Sequence, residues 1–266
     1  MNAHAHSYPK LDSPEVLQFI FHPRKEAFSA PPRNAVDYVI SAAEDARLYC
    51  RFYLAEKESP CILFFHGNGE IAGDYDDLGP MYNSYGISLL AADYRGYGQS
   101  TGSPTIASMM HDCHSIFKEV QRWRKDEGRT GPLFVMGRSL GSASALEIAS
   151  SYQSDIAGLI IESGFAYTVP LLNFLGADTR ARGITEADAL LHIEKIKRCA
   201  RPTLILHAQF DQFIPLSDAQ ALLKHSPALK KYLKVIPGAD HNTILLKAGK
   251  SYFETIKNFI SGTETF

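Results

Sequence analysis

Short apolar runs separated by stretches of helical periodicity dominate this chain, and that alternation restricts the fold more than any other feature. The runs CILFFH (61–66), ISLLAAD (87–93), LFVMG (133–137), IAGLIIES (156–163), TLILHA (203–208) and YLKVIP (232–237) each have strand length. They predict a mainly parallel sheet wrapped by helices, because parallel strands need crossover connections that pack on the sheet faces. CILFFH and ISLLAAD are unbroken enough to be covered on both faces. RLYCRFYLA (47–55) alternates like an edge strand, and the lack of a helix between it and CILFFH suggests a hairpin feeding the parallel sheet.

The segment 104–128 predicts the clearest helix: Ile106, Met109, Met110, Cys113, Phe117, Val120 and Trp123 recur at three- and four-residue steps. Ser103 followed by Pro104 suits its N-cap and first position. Within it, His111 and His114 of HDCH have no matching partners for a metal, and an ordinary helix face accounts for them; His4 and His6 read as a mobile terminus. Between residues 163 and 201 the alternation breaks for a length uncommon in a plain connection, which marks a lid or cap. The second half of that segment, TEADALLHIEKIKRC, has helical spacing through Ala187, Leu190, Leu191 and Ile196.

With 266 residues and 45% apolar content the chain can bury a large core, and we expect one domain over 1–266, with an N-terminal strap (1–35) and the cap insertion (163–201). A net charge of -2 with dispersed Lys and Arg argues against nucleic acid. Cys50, Cys61, Cys113 and Cys199 are scattered without metal-type spacing and read as free thiols. The start lacks a signal-peptide pattern and no run reaches membrane-spanning length, so a cytoplasmic protein without an integral span is expected.

Gly137, Arg138, Ser139, Leu140 and Gly141 satisfy G-x-S-x-G between a strand and a helical pattern. In that setting the serine hydroxyl is lifted above the carboxyl end of the sheet, at a helix N-terminus that favours developing negative charge. A serine hydroxyl needs a base, and the base an orienting carboxylate. TLILHA runs into QFDQFIP, which brings Asp211 to the same edge, and YLKVIP runs into GADHN, which brings His241. Glu162, at the end of the LIIES run, is a rival carboxylate or a supporting hydrogen-bond partner. Asp240 reads as a turn residue, His225 as a helix end and His207 as strand packing. The backbone N–H of Leu140 and that of Asn68 in FFHGNGE are the expected oxyanion donors. DYRGYGQS (93–100) reads chiefly as a buttress of a loop. Arg138 either steers an anionic substrate or is tied to a neighbouring carboxylate.

The ordered set FFHGNGE, DYRGYGQSTGSP, GRSLGS, IIESGFA, DQFIP and ADHN resembles the serine α/β-hydrolases, and within them the small-lidded branch of Bem46 and the α/β-hydrolase domain-containing 13 and 17 types. The resemblance runs from about Phe21 onward. It implies an eight-stranded sheet whose second strand is antiparallel, with Ser139, Asp211 and His241 as the triad and Asn68 and Leu140 as the oxyanion hole. The N-terminal cysteine cluster and membrane span of some relatives have no counterpart here, so neither a membrane role nor depalmitoylation carries over.

The expected activity is hydrolysis of a small-molecule carboxylic ester or thioester through an acyl-enzyme, with no metal or organic cofactor. An amidase or peptidase, and a non-catalytic binding protein on the same fold, are the rivals. Phe165, Tyr167, Leu171, Leu172, Phe174 and Leu175 either line an acyl pocket or form the core of the cap.

Overall fold

A computed structural model describes residues 7–27 and 30–263; His4 and His6 lie outside them. Eight strands form one sheet in the order β1-β2-β4-β3-β5-β6-β7-β8. They are β1 (Ala35–Ser41), β2 (Arg47–Tyr53), β3 (Cys61–Phe65), β4 (Ser88–Ala92), β5 (Leu133–Arg138), β6 (Gly158–Glu162), β7 (Thr203–Ala208) and β8 (Lys231–Ile236). β2 is antiparallel to both neighbours, and every later pairing is parallel. The helices are α1 (Pro14–Ile20), α2 (Leu78–Ser84), α3 (Ile106–Asp126), α4 (Ser142–Ser151), α5 (Thr168–Phe174), α6 (His192–Ile196), α7 (Leu216–His225), α8 (Ile244–Ala248) and α9 (Lys250–Ser261).

The central strands are apolar on both sides because each feeds two cores. Alternation sends Cys61, Leu63 and Phe65 of β3 to the layer under α3 and α4, and Ile62 and Phe64 to the layer under α9. β5 divides likewise, Leu133 and Val135 against Phe134 and Met136.

Four sequence expectations are corrected. RLYCRFY is not an edge: β1 lies outside it, and all of β2 after Arg47 is buried. The hairpin is β1–β2, and β4 separates β2 from β3. α3 begins at Ile106 rather than Pro104, since Thr105 is the N-cap: its Oγ1 accepts from Ser108 N–H at 2.9 Å while Ser108 Oγ accepts from Thr105 N–H at 2.9 Å. Asp12 of the strap accepts the next free N–H groups, those of Ile106 (2.6 Å) and Ala107 (3.2 Å). The helical stretch expected across Ala187–Ile196 is broken by Leu191, whose φ is 54°, so only α6 remains after a short 3-10 turn.

The cap segment between β6 and β7 is tied down by polar contacts. Glu147 of α4 takes Lys195 Nζ of α6 at 2.8 Å and His114 Nε2 of α3 at 3.2 Å. Buried His192, at the start of α6, is hydrogen-bonded through Nδ1 to the Phe165 carbonyl at 2.7 Å. His114 Nδ1 meets Tyr152 Oη at 3.0 Å, and among the described residues no group of three potential metal ligands converges. The four cysteines are buried and free.

Candidate active site

Ser139 follows β5 with φ 51°, a left-handed backbone that a non-glycine residue adopts only when its surroundings enforce it. The flanking glycines explain the enforcement. A Cβ on Gly137 would lie 2.3 Å from the Gly141 carbonyl oxygen, and one on Gly141 would lie 2.0 Å from that of Phe65. Only glycine permits the chain to double back this tightly beside β3, and the turn leaves the serine side chain at the carboxyl edge of the sheet.

Two further loops converge there. Asp211 follows β7 and His241 follows β8. His241 Nε2 lies 2.9 Å from Ser139 Oγ, and its Nδ1 lies 2.7 Å from Asp211 Oδ2. The other carboxylate oxygen of Asp211 accepts the N–H groups of Phe213 (3.0 Å) and Ile214 (2.9 Å). Burial alone would raise the Asp211 pKa. The hydrogen bond and charge of His241, with the Ile214 N–H, outweigh burial and hold the carboxyl below its ordinary value, so it is ionised at neutral pH. An ionised Asp211 favours a proton on Nδ1, which leaves Nε2 free to accept from the serine hydroxyl.

Asn68 lies in the turn after β3, next to β5, and borders the same cavity as Leu140. The amide N–H of neither residue has a partner among the described residues. Glu162 does not reach His241. It is buried, with Oε1 3.2 Å from Arg138 Nε and Oε2 accepting from Tyr252 Oη at 2.5 Å. Burial pushes its pKa up, against the opposing pull of Arg138 and Tyr252.

Arg138 is tied to carboxylates: Glu70 is 3.2 Å away on its other side, and its remaining nitrogen donates to the His241 carbonyl at 3.0 Å. Glu70 in turn accepts the Gly67 N–H at 2.7 Å and the Tyr75 hydroxyl at 2.8 Å. One guanidinium thus joins the serine turn, the histidine loop and the turn bearing Asn68. Sequence reading left Glu70, Tyr252 and Gln212 unmentioned; Gln212 Oε1 accepts the His241 N–H at 3.2 Å. Glu70 had a signal, three residues beyond Gly67 in the same turn, whereas Tyr252 comes from a distant helix.

The loop DYRGYGQS buttresses the neighbouring turn. Asp93 accepts the Ala72 N–H at 2.7 Å, Tyr94 Oη donates to the His66 carbonyl at 2.7 Å and Arg95 pairs with Asp112 at 2.7 Å. His207 and His225 are engaged elsewhere. His207 is buried with Nε2 on the Ile214 carbonyl, and His225 bonds the Ala221 carbonyl. Asp240 closes a turn with Thr243.

A cavity of about 350 Å³ opens beside Ser139 and His241. Phe165, Leu171, Leu172 and Leu175 of the cap line it, together with Phe213 and Ile20. Tyr167 and Phe174, which the sequence offered either to an acyl pocket or to the core of the cap, take neither place. Phe174 is 59% exposed and packs edge-on against Phe213 with centroids 5.9 Å apart, because it faces the outer side of α5. Tyr167 is 38% exposed, just before α5.

A family model described as serine aminopeptidase, S33, matches residues 56–182. The α/β-hydrolase domain-containing protein 17C of Mus musculus is 31% identical over 247 residues, covering 88% of this chain and 70% of the relative. The Homo sapiens 17C protein is also 31% identical, with 88% and 68% covered. Among solved structures, the Pyrococcus furiosus esterase Pf2001 superposes with a TM-score of 0.70 at 14% identity, over 90% of this chain and 98% of the other. A soluble variant of monoglyceride lipase from Saccharomyces cerevisiae, in complex with a substrate analog, gives 0.69 at 18%, over 90% and 100%.

Proposed function

The chain belongs to the α/β-hydrolases, in the branch of the α/β-hydrolase domain-containing 17 proteins, and from that premise we propose that it is a serine hydrolase of small-molecule carboxylic esters or thioesters. The observation that carries the reading is the hydrogen-bonded chain Asp211–His241–Ser139, opening onto a cavity with a largely apolar wall. In this reading His241 takes the Ser139 proton as Oγ attacks the carbonyl carbon. Asp211 orients the ring and stabilises the imidazolium that forms. The amides of Asn68 and Leu140 stabilise the oxyanion, and His241 then protonates the leaving alcohol or thiol. Water, activated by the same histidine, releases the acyl group and restores the serine. The apolar wall supports an acyl group over a charged one, in keeping with the esterase and monoglyceride lipase of similar fold. Four buried thiols without a disulfide support a reducing, cytoplasmic setting.

Amide cleavage is the second reading, favoured by the description of the matching family model. An aminopeptidase needs a carboxylate free to hold the substrate's amino group. Glu70 borders the cavity but is engaged by Arg138, Gly67 and Tyr75, so the ester reading ranks first.

Labelling of the purified protein with a fluorophosphonate probe tests the proposal. Wild type is expected to label, Ser139→Ala and His241→Ala are not, and ester turnover should fall by on the order of 10⁶-fold in either. A folded wild type that neither labels nor cleaves esters or aminoacyl amides would overturn the catalytic reading and put the binding protein in its place.

A further inference from the structure

His22 lies between α1 and β1, outside the serine–histidine–aspartate chain, yet it borders the same cavity. Its contacts there converge on one side chain. The His22 backbone N–H donates to Asn68 Oδ1 at 2.9 Å, and its ring Nδ1 lies 3.0 Å from Asn68 Nδ2. A carboxamide nitrogen offers only hydrogens, so Nδ1 accepts and a neutral ring carries its proton on Nε2. Buried Tyr97 donates its hydroxyl to the same Oδ1 at 2.6 Å and accepts from the His22 N–H at 2.9 Å. Both ends of the Asn68 carboxamide are therefore held. Two residues on, Arg24 Nε donates to the Gly69 carbonyl at 3.2 Å, so the strap grips the turn from outside while Glu70 grips Gly67 from inside.

The turn needs such a grip. Asn68 stands between two glycines, and Gly69 has φ 76°, a region where glycine carries no side chain to restrict the peptide. An oxyanion donor is effective only when its N–H is aimed before the reaction begins, because reorienting it during the reaction costs much of the stabilisation it offers. We infer that His22 is a positioning residue for the Asn68 amide, and that the strap preceding the sheet completes the oxyanion hole. This rests on the serine-hydrolase reading above. The strap is then a working part of the site, in addition to the apolar cover that Leu11 and Val16 give the core.

The test uses the full chain with His22→Ala, His22→Gln and Tyr97→Phe, assayed on a short-chain ester and titrated with a boronic acid that forms a tetrahedral adduct at the serine. Losing an oxyanion donor outright costs about 10²–10³-fold, so loosening one is expected to lower kcat in His22→Ala by about tenfold with KM within about twofold. Boronate affinity should weaken by the same factor as kcat. His22→Gln, which restores an acceptor oxygen, should recover part of both, and Tyr97→Phe should shift both in the direction of His22→Ala. Thermal melts of each variant verify folding, and Tyr97→Phe reads the same quantity should His22→Ala fail to fold. An active wild type whose His22→Ala variant keeps its kcat, or loses only KM, overturns the inference alone. So does a His22→Gln variant no better than alanine. A wild type that neither labels nor turns over ester overturns the parent reading and this inference with it.

Discussion

Two partly buried ion clusters use similar groups to different ends. Around Arg138, one cation meets two carboxylates, Glu70 and Glu162, and spends a further hydrogen bond on the His241 carbonyl. Around Glu147, one carboxylate meets two basic groups, Lys195 and His114, from α6 and α3. The first cluster ties two loops, those of Glu70 and His241, to the ends of β5 and β6; the second joins helices, which their apolar faces already hold. A buried pair thus matters to chemistry when it fixes loops and to persistence of the fold when it fixes helices.

The largest effect is expected at the helix cluster. Glu147→Gln leaves Lys195, 5% exposed, as an unpaired buried cation. Breaking such a pair typically costs about 3–5 kcal/mol, so the denaturant midpoint should fall steeply while kcat, measured on folded protein at low temperature, holds. A large loss of kcat at unchanged stability would reverse the assignment.

Acid should act on Glu147 and on His192, which starts the same helix as Lys195. Burial, and then the charge of Lys195, hold the His192 pKa down at about 3. Glu147 is held at about 2, because His114 and Lys195 outweigh its burial. In the unfolded chain the same groups titrate near ~6.5 and ~4.3, so the unfolded state binds more protons throughout that interval. Stability from His192 is fully present above about pH 6.5 and is lost as pH falls toward about 3; that from Glu147 is lost below about 4.3. Thermal melts of wild type and His192→Phe from pH 7 to 4 check this, and the variant should show the shallower decline.

At the loop cluster, Arg138→Met should lower kcat by about ten- to a hundredfold, since small misplacements of reacting groups carry penalties of that order. Arg138→Lys should recover little, because one ammonium cannot span both carboxylates and the carbonyl. Rate and melt measured on the same sample separate the two effects. Tyr252→Phe removes the hydroxyl's hydrogen bonds to Glu162 and Tyr82 while the cluster keeps its guanidinium, and about 1–2 kcal/mol of stability is expected to go with them.

The smallest effect belongs to Phe174→Ala. An exposed ring outside the cavity should leave the ratio of rates on short and longer acyl esters unchanged, whereas Leu172→Ala, which enlarges the cavity wall, should move it toward longer chains. Ester series from butyrate to dodecanoate read that ratio directly.

How much was legible in the sequence follows the same division. Ser139, Asp211 and His241 could be found because each follows a strand, and strand ends of a parallel sheet share an edge. β1 was legible only through the family resemblance: AVDYVIS is mostly half-buried or exposed, so its pattern lacks the apolar weight of the central strands. Tyr252 and His22 could not be found from local pattern at all, because their partners lie 90 and 46 residues away. The break at Leu191 hid behind good helical spacing, since periodicity records which side of a helix is apolar and not whether one residue has turned left-handed. Tyr167 and Phe174 were misplaced for a related reason: aromatic content marks a segment and does not say which of its faces is inward.

The left-handed Ser139 also sets a limit on what selection can optimise together. A non-glycine residue in that conformation costs of the order of 1–3 kcal/mol, and glycine would relieve much of it. Ser139→Gly should therefore melt at a higher temperature than wild type while doing no chemistry. In a search for thermal robustness alone, the proposed nucleophile is a residue the chain would readily give up.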